Sequence, residues 1–165
     1  MSLRTRLFMV ASFVLGTGCS SYGLATSQAA AVAPFAPAAD AAKICVMRAG
    51  AVPAPFFTTV VYDNNKLVGA TKDWTYFCYL AEPGKHVIVS DGTYGRRTAL
   101  LEAQAGNRYY LEQVWLLPGF RGHALSWIDE SAAKGEIQDD EYALLTEVPG
   151  TEALPGYQPF APAAK

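Results

Sequence analysis

Short apolar runs, interrupted by turn residues about every ten residues, dominate the chain from Lys43 onward and constrain the fold more than any other feature. The predicted strands are 43–48, 58–62, 67–71, 74–80, 86–90, 98–103, 108–117 and 124–128. Because these runs follow one another without helical segments between them, they favour an all-β sandwich over alternating β and α units. We therefore expect a single small antiparallel β-sandwich of about seven or eight strands.

Residues 131–145 are predicted to form one short C-terminal helix at the end of this domain. Its expected apolar contacts are Ala133, Ile137, Leu144 and Leu145. The surrounding segment, 129–152, holds eight of the fifteen acidic residues and one basic residue, Lys134. Such a charge pattern indicates a solvated face, and an acidic docking patch is the alternative.

The first residues have the pattern of an export signal. Arg4 and Arg6 precede an uncharged apolar run, Leu7–Leu15, which is too short for the roughly 20 residues that span a bilayer. Cys19 follows this run directly after Gly18, an arrangement that resembles the lipobox of bacterial lipoproteins. The resemblance implies cleavage before Cys19 and acylation of its thiol. Ordinary secretion, with cleavage after a small-x-small site such as 27–29, and a retained anchor are the alternatives.

Composition divides the chain into four parts. Residues 1–18 are the predicted signal peptide, and 19–42 form an Ala/Pro/Ser-rich segment with a single charged residue, Asp40. We expect this segment to be a flexible tether that holds the domain roughly 25–30 Å from the membrane. The predicted β-sandwich domain covers 43–148, and the Pro-rich tail, 149–165, is expected to be disordered.

Net charge limits the classes of partner. The full chain has 13 basic and 15 acidic residues, and cleavage after residue 18 would remove Arg4 and Arg6 and leave a net charge of −4. A nucleic-acid-binding protein needs a strong basic surplus, so nucleic acid is excluded as the expected partner. The same acidic balance disfavours adhesion to anionic lipid surfaces.

Five motifs, taken in order, resemble one protein family. They are "CVMR" (45–48), "VVYDNNKLVG" (60–69), "PGKHVI" (83–88), "AGNRYYLEQV" (105–114) and "PGFRGHALSWIDESAAKGEI" (118–137). This order is similar to that of bacterial lipoproteins carrying the domain of unknown function 2846, over about residues 43–140. Asn65 stands where that family usually has Gly, and Glu82 where it has Pro. The resemblance implies a small prealbumin-like sandwich and brings no assigned activity.

The cysteines suggest a covalent link within the domain. With Cys19 acylated, Cys45 and Cys78 remain as an even pair in an oxidising compartment. One disulfide between the first strand and the aromatic strand would contribute roughly 3–4 kcal/mol of stability in the chain-entropy model. Two separate buried thiols are the alternative, since a free cysteine packs as a small hydrophobic residue.

Histidines are the remaining candidates for chemistry. His86 follows a Pro-Gly-Lys turn and His123 ends a glycine-rich loop, so that with Asp91 they suggest a metal or acid–base site. The alternative is that both imidazoles form hydrogen bonds with nearby loop carbonyls. No nucleophile elbow and no phosphate-binding glycine loop occurs in the sequence. We therefore expect no enzymatic activity, no metal site and no cofactor.

Aromatic residues occupy both faces of the strand 74–80, although a sandwich strand needs only one apolar face. Either the predicted helix or a partner must therefore cover the second face. The candidate contact residues are Trp74, Tyr76, Trp115 and Trp127. Exposed aromatic side chains of this kind dock proteins or stack on sugars.

Together these features predict a non-enzymatic lipoprotein of the bacterial cell envelope, anchored by lipid on Cys19 and acting as an interaction or structural module for an envelope protein partner. Ser20 follows the acylated cysteine, which by resemblance implies sorting to the outer membrane, facing the periplasm. A module that binds glycan or cell-wall material through exposed aromatic residues is the alternative.

Overall fold

The computed structural model describes residues 22–28, 33–50, 57–93, 95–115 and 123–148. Its elements are β1 (Gly23–Ser27), β2 (Ala42–Arg48), β3 (Thr59–Asp63), β4 (Lys66–Thr71), β5 (Thr75–Ala81), β6 (Gly84–Gly92), β7 (Gly95–Ala103), β8 (Arg108–Trp115), β9 (His123–Ile128), α1 (Glu130–Asp139) and β10 (Glu141–Glu147). The predicted signal peptide, Cys19 and the Pro-rich tail lie outside the described residues. Within them, no helix has the length and apolar character needed to span a bilayer.

Two sheets make up the domain, which confirms the prediction of a mainly β protein. The larger sheet has the strand order β1-β10-β5-β2-β8-β9, and the smaller has the order β4-β3-β6-β7. In the described part of the chain there are ten strands, not seven or eight, and the larger sheet is mixed, so the prediction of an antiparallel sandwich is corrected. β2 pairs with β8 in parallel, as does β5 with β10. The β2–β8 pair is parallel because the chain passes through the smaller sheet and β5 between them.

All eight predicted strands are present, with ends that differ by a few residues, and residues 116–117 of the predicted strand 108–117 lie outside the described residues. The predicted helix is shorter than expected, because α1 ends at Asp139 and the backbone of Asp140 is extended. Residues 141–147 instead form β10, where Glu141 and Tyr142 pair with the start of β5. The prediction of helix over 140–145 is therefore wrong, and sheet pairing overrides the helix propensity of these residues.

Part of the predicted tether is structured. β1, at residues 23–27, pairs with β10 in an antiparallel register at the edge of the larger sheet. The side chain of Phe35 packs against Tyr110, with ring centroids 5.7 Å apart, and Lys43 Nζ donates a hydrogen bond of 2.8 Å to the carbonyl of Ala33. The described residues between 22 and 42 thus belong to the folded domain, which corrects the prediction of a flexible segment there.

Between the sheets lies the main core. Alternation along paired strands places Val46, Phe77 and Leu111 on the inner face of the larger sheet, where they pack with Val61 and Ile88 of the smaller one. A second cluster lies on the outer face of the smaller sheet. It joins Val60, Leu67 and Ala70 to Leu145, with Tyr22, Leu24, Tyr62 and Val148 packed against it.

Helix α1 covers the outer face of the larger sheet. Its N-cap is Asp129, whose side chain accepts a hydrogen bond of 2.9 Å from the backbone amide of Ala132. Ala133 is fully buried and Ile137 packs on the core, and Phe35 adds a further apolar contact. The second aromatic face is therefore covered from within the chain, by a helix and by part of the predicted tether.

Candidate functional site

Trp74 is the most unusual exposed side chain, and it lies in the turn between β4 and β5. Its backbone φ is 60°, in the left-handed region that glycine and asparagine favour, and its side chain is 57% exposed. This conformation costs an ordinary residue roughly 1–2 kcal/mol. A large apolar side chain is thus held in water in an unfavourable conformation.

Hydrogen bonds fix the backbone of this turn on both sides. The Trp74 amide donates to the carbonyl of Arg48 at the end of β2, at 3.0 Å. The Trp74 carbonyl accepts from the amide of Glu141 at the start of β10, also at 3.0 Å. Within the turn, Thr75 Oγ1 accepts from the Lys72 amide and donates to the Lys72 carbonyl. The indole is therefore presented from a rigid base.

A buried ion pair holds the residue before Trp74. Arg48 Nη2 lies 2.6 Å from Asp73 Oδ1, and the two side chains are 1% and 3% exposed. Arg48 Nη1 also donates to the carbonyl of Phe57, at 2.7 Å, and to Thr59 Oγ1, at 3.2 Å. Burial lowers the pKa of Arg48, while the Asp73 carboxylate acts in the opposite direction. Breaking such a pair costs about 3–5 kcal/mol, so the turn is fastened firmly to β2 and β3.

Gly50 provides the space for the indole ring. A Cβ atom at residue 50 would lie 1.8 Å from Trp74 Cε2, well inside van der Waals contact. The ring therefore lies directly over the backbone of Gly50, and no other amino acid fits there without moving it.

The other predicted aromatic contacts do not join Trp74 on one surface. Tyr76 is 6% exposed and makes a T-shaped contact with Tyr142 at 5.5 Å. Trp127 is 37% exposed, packs against Tyr109, and lies three strands from β5, or roughly 14 Å across the sheet. The side chain of Trp115 lies outside the described part of the chain.

Cys45 and Cys78 form the predicted disulfide, which is confirmed. The two residues face each other on β2 and β5, with Cα atoms 4.0 Å apart and no exposed surface. The bond is buried on the outer face of the larger sheet, beside Tyr110 and Tyr142 and beneath the elements that cover that face.

His86 belongs to a buried polar cluster at one end of the smaller sheet. Its Nδ1 lies 2.7 Å from Asp63 Oδ2, and its Nε2 lies 2.8 Å from the carbonyl of Glu82. Tyr79 donates to the same carboxylate oxygen at 3.1 Å. Because a carbonyl can only accept, Nε2 carries a proton and the imidazole links the Glu82 turn to β3. Burial and the Asp63 charge raise the pKa of Tyr79.

His123 belongs to a hydrogen-bonded chain between the sheets. Thr71 Oγ1 donates to Gln113 Oε1, Gln113 Nε2 donates to Ser90 Oγ at 3.0 Å, and Ser90 Oγ lies 2.8 Å from His123 Nε2. Burial lowers the pKa of His123, helped by the charges of Arg97 and Arg48. The neutral imidazole thus accepts a hydrogen bond from Ser90. This series of hydrogen bonds gives partners to polar groups that would otherwise be buried without one.

The two histidines do not converge. His86 and Ser90, the residue bonded to His123, are four positions apart on β6, which separates them by roughly 13 Å. Ser90 is fully buried and His123 is 2% exposed, so the Ser90–His123 pair is enclosed between the sheets. No group of three or more His, Cys, Asp or Glu side chains suited to a metal ion occurs among the described residues.

A polar depression of about 300 Å³ lies elsewhere, between the turn at Gly106 and the start of α1. The Arg108–Glu130 ion pair, at 3.0 Å, lies on its wall. The depression is separated from Trp74 by the length of the larger sheet, so the two features are not parts of one site.

Sequence reasoning named Trp74 but missed the residues that hold it. Arg48, Gly50 and Asp73 are positioned by contacts across the fold, and a charge at the end of an apolar strand ordinarily indicates an exposed end. Asp140, beside β5, was also missed. Its Oδ2 is buried without a hydrogen-bond partner, and burial, with Glu136 and Asp139 nearby, raises its pKa to about 7.

Comparison of the chain with family models, with curated proteins and with solved structures finds no significant match.

Proposed function

We propose that this chain is a lipid-anchored lipoprotein of the bacterial cell envelope whose β-sandwich is a non-enzymatic interaction module, with Trp74 as the side chain that docks a partner protein. The export features at Arg4, Arg6 and Leu7–Leu15, followed by Cys19, support this location in the cell envelope. A buried disulfide suits the oxidising side of a membrane. Ser20 favours the outer membrane, facing the periplasm.

The observation that carries this proposal is the strained and exposed conformation of Trp74. Backbone strain of this kind persists only where the surrounding structure enforces it, and it concentrates at functional sites. Here a buried ion pair and two inter-strand hydrogen bonds enforce it. The ion pair and the hydrogen bonds involve Asp73 and the backbone of Trp74 rather than the indole, and binding a partner would give the exposed part of the indole a role.

Tryptophan is also the side chain that most often dominates protein interfaces. Anchors of this type insert into a pocket of the partner. Their truncation to alanine costs about 2 kcal/mol or more of binding free energy. Phe57, which is 37% exposed, accepts a hydrogen bond from the same Arg48 and adds apolar surface near the turn. We therefore expect a protein partner with an apolar pocket.

The second candidate function is glycan binding, and exposed Trp74 is the observation that favours it. A lone indole can stack on a sugar ring. The predicted platform of several aromatics is not assembled by the described residues, because Tyr76 is buried and Trp127 lies elsewhere on the sheet. This geometry favours the protein partner over the glycan.

The resemblance to lipoproteins with the domain of unknown function 2846 agrees with this proposal. Its characteristic turns correspond to the Asn64–Asn65 turn, the 82–85 segment and the turn before Tyr109. In the fold the first of these segments is the turn of the β3–β4 hairpin, whereas the other two connect strands of different sheets, β5 to β6 and β7 to β8. They support a sandwich of that kind, and family membership itself is part of the proposal.

Photo-crosslinking in intact cells tests the docking role. A benzoylphenylalanine residue replaces Trp74 in one variant and Trp127, a partly exposed tryptophan on another strand, in the control. We expect one discrete protein adduct from position 74 and none of comparable yield from position 127. With the purified partner, Trp74→Ala should weaken binding about 30-fold, equivalent to about 2 kcal/mol.

Equal adducts from both positions, or unchanged affinity of Trp74→Ala, would contradict protein docking through Trp74. An adduct from position 74 to cell-wall glycan alone would contradict it in favour of the second candidate.

A further inference from the structure

The described residues leave half of the outer face of the smaller sheet uncovered. The β3–β4 half is covered by the cluster around Leu145, whereas the β6–β7 half exposes two apolar side chains that pair across the strands. Val87 is 44% exposed and Leu100 is 71% exposed, and their register places them on one face. An exposed apolar pair on a regular sheet indicates a surface that contacts another molecule.

The N-terminal segment enters the fold over this same face. Tyr22, directly before β1, has its hydroxyl 3.3 Å from that of Tyr62 on β3. This contact, with partial burial, raises the pKa of Tyr62 to about 12. Tyr62 pairs with Val89, which shares the outer face with Val87 two residues away. The start of the described chain and the apolar pair therefore lie on one side of the molecule.

Chain length then limits how far the lipid can lie from this face. Three peptide units separate Cys19 from Tyr22, and whatever path they take, they span at most about 11 Å. The sequence alone predicted a tether of 25–30 Å, but β1 begins at Gly23, four residues after Cys19, and already pairs in the larger sheet. A domain held this closely cannot turn every face to the bilayer.

We propose that the uncovered β6–β7 half of this outer face lies against the phospholipid surface, with Val87 and Leu100 in contact with the bilayer. This inference rests on the proposed acylation of Cys19. The charged side chains of the face balance, since Lys85 lies opposite Glu102 and Arg96 pairs with Asp91 at 2.7 Å. The contact therefore depends on proximity and apolar surface rather than on anionic lipid. Trp74 is not part of this face and stays accessible to a partner.

Fluorescence quenching in vesicles tests this orientation. The full-length acylated protein, purified from envelopes, is reconstituted into phosphatidylethanolamine and phosphatidylglycerol vesicles that contain a lipid with a nitroxide on its headgroup. Thr98→Cys, exposed on the proposed face beside Leu100, carries a bimane label. Gln138→Cys, exposed on α1 over the opposite sheet, is the matched control.

We expect at least twofold stronger quenching at position 98 than at position 138. A flexible Gly/Ser insertion between Ser21 and Tyr22 should remove the difference, and Val87→Ser with Leu100→Ser should reduce it. Leu80→Ser, at an exposed apolar residue of the other sheet, should leave it unchanged.

The outcomes separate the two proposals. Protein that fails to float with the vesicles would contradict acylation and overturn the orientation with it. Protein that floats but shows equal quenching at both positions would overturn the orientation alone. A difference that survives the insertion would overturn the argument from the short link.

Discussion

The exposed indole of Trp74 is held in place by Gly50 and Arg48, which precede it by more than twenty residues. The type of residue at 74 was enough to name it as a candidate contact. Its positive φ and its buried support arise from tertiary contacts, and no local pattern in the sequence indicates them. Trp74 was therefore predictable as a residue, while the geometry that gives it a role was not.

Gly50→Ala tests this support. The new Cβ atom would clash with the indole, so either the ring or the backbone must move, and we expect a loss of about 1–3 kcal/mol in the free energy of unfolding. Gly135→Ala on α1 is the control, because its Cβ meets no atom within 4 Å and should add about 1 kcal/mol. Denaturant unfolding measures both, and a Gly50→Ala protein as stable as the parent would refute the contact.

Asp140 is predicted to make stability depend on pH. Its pKa is raised from 3.8 to about 7, so the folded state holds a proton that the unfolded state releases above pH 4. The stabilising contribution is complete below pH 3.8 and is lost as pH rises through 7. As the pH rises from 5 to 8, the melting temperature of Asp140→Asn should therefore increase by about 4 °C relative to that of the parent.

Thermal unfolding at the two pH values measures this gain. Asp40→Asn, at an exposed carboxylate, is the control, and its melting temperature should change between the two pH values as that of the parent does. A difference between Asp140→Asn and the parent that does not change with pH would show that Asp140 is not protonated in the folded state.

Among the elements, those with local signals were predicted and those that depend on distant pairing were not. The strands β2 to β9 carry apolar runs bounded by turn residues, and the sequence predicted all of them. β1 has the sequence Gly-Leu-Ala-Thr-Ser in a low-complexity segment, and β10 is rich in helix-forming residues. Each becomes a strand because it pairs with the other, and β10 also pairs with β5.

The disulfide between β2 and β5 is expected to be a major source of stability. It closes a loop with a sequence separation of 33 residues, so its loss should lower the free energy of unfolding by roughly 3–4 kcal/mol. Cys45→Ala with Cys78→Ala, compared with the parent in urea, measures this loss. The reduced parent is the control and should match the double variant, and equal stability of oxidised and reduced protein would contradict the prediction.

The domain as a whole has two distinct surfaces. The Trp74 turn presents a rigid aromatic anchor, and the uncovered half of the smaller sheet lies near the start of β1. The predicted tether would have left the domain free to rotate, whereas the pairing of β1 with β10 places the start of the described chain over one face. We propose that the Trp74 turn contacts a partner protein and that the uncovered half of the smaller sheet contacts the membrane.

The claim on which both proposals rest is that the mature chain begins at an acylated Cys19. Intact-mass measurement of protein purified from cell envelopes, before and after reduction and thiol alkylation, tests it most directly. We predict a mass that starts at Cys19 and includes acyl groups, with Cys45 and Cys78 protected until reduction. An unacylated mass that starts near Ala30 would contradict acylation of Cys19.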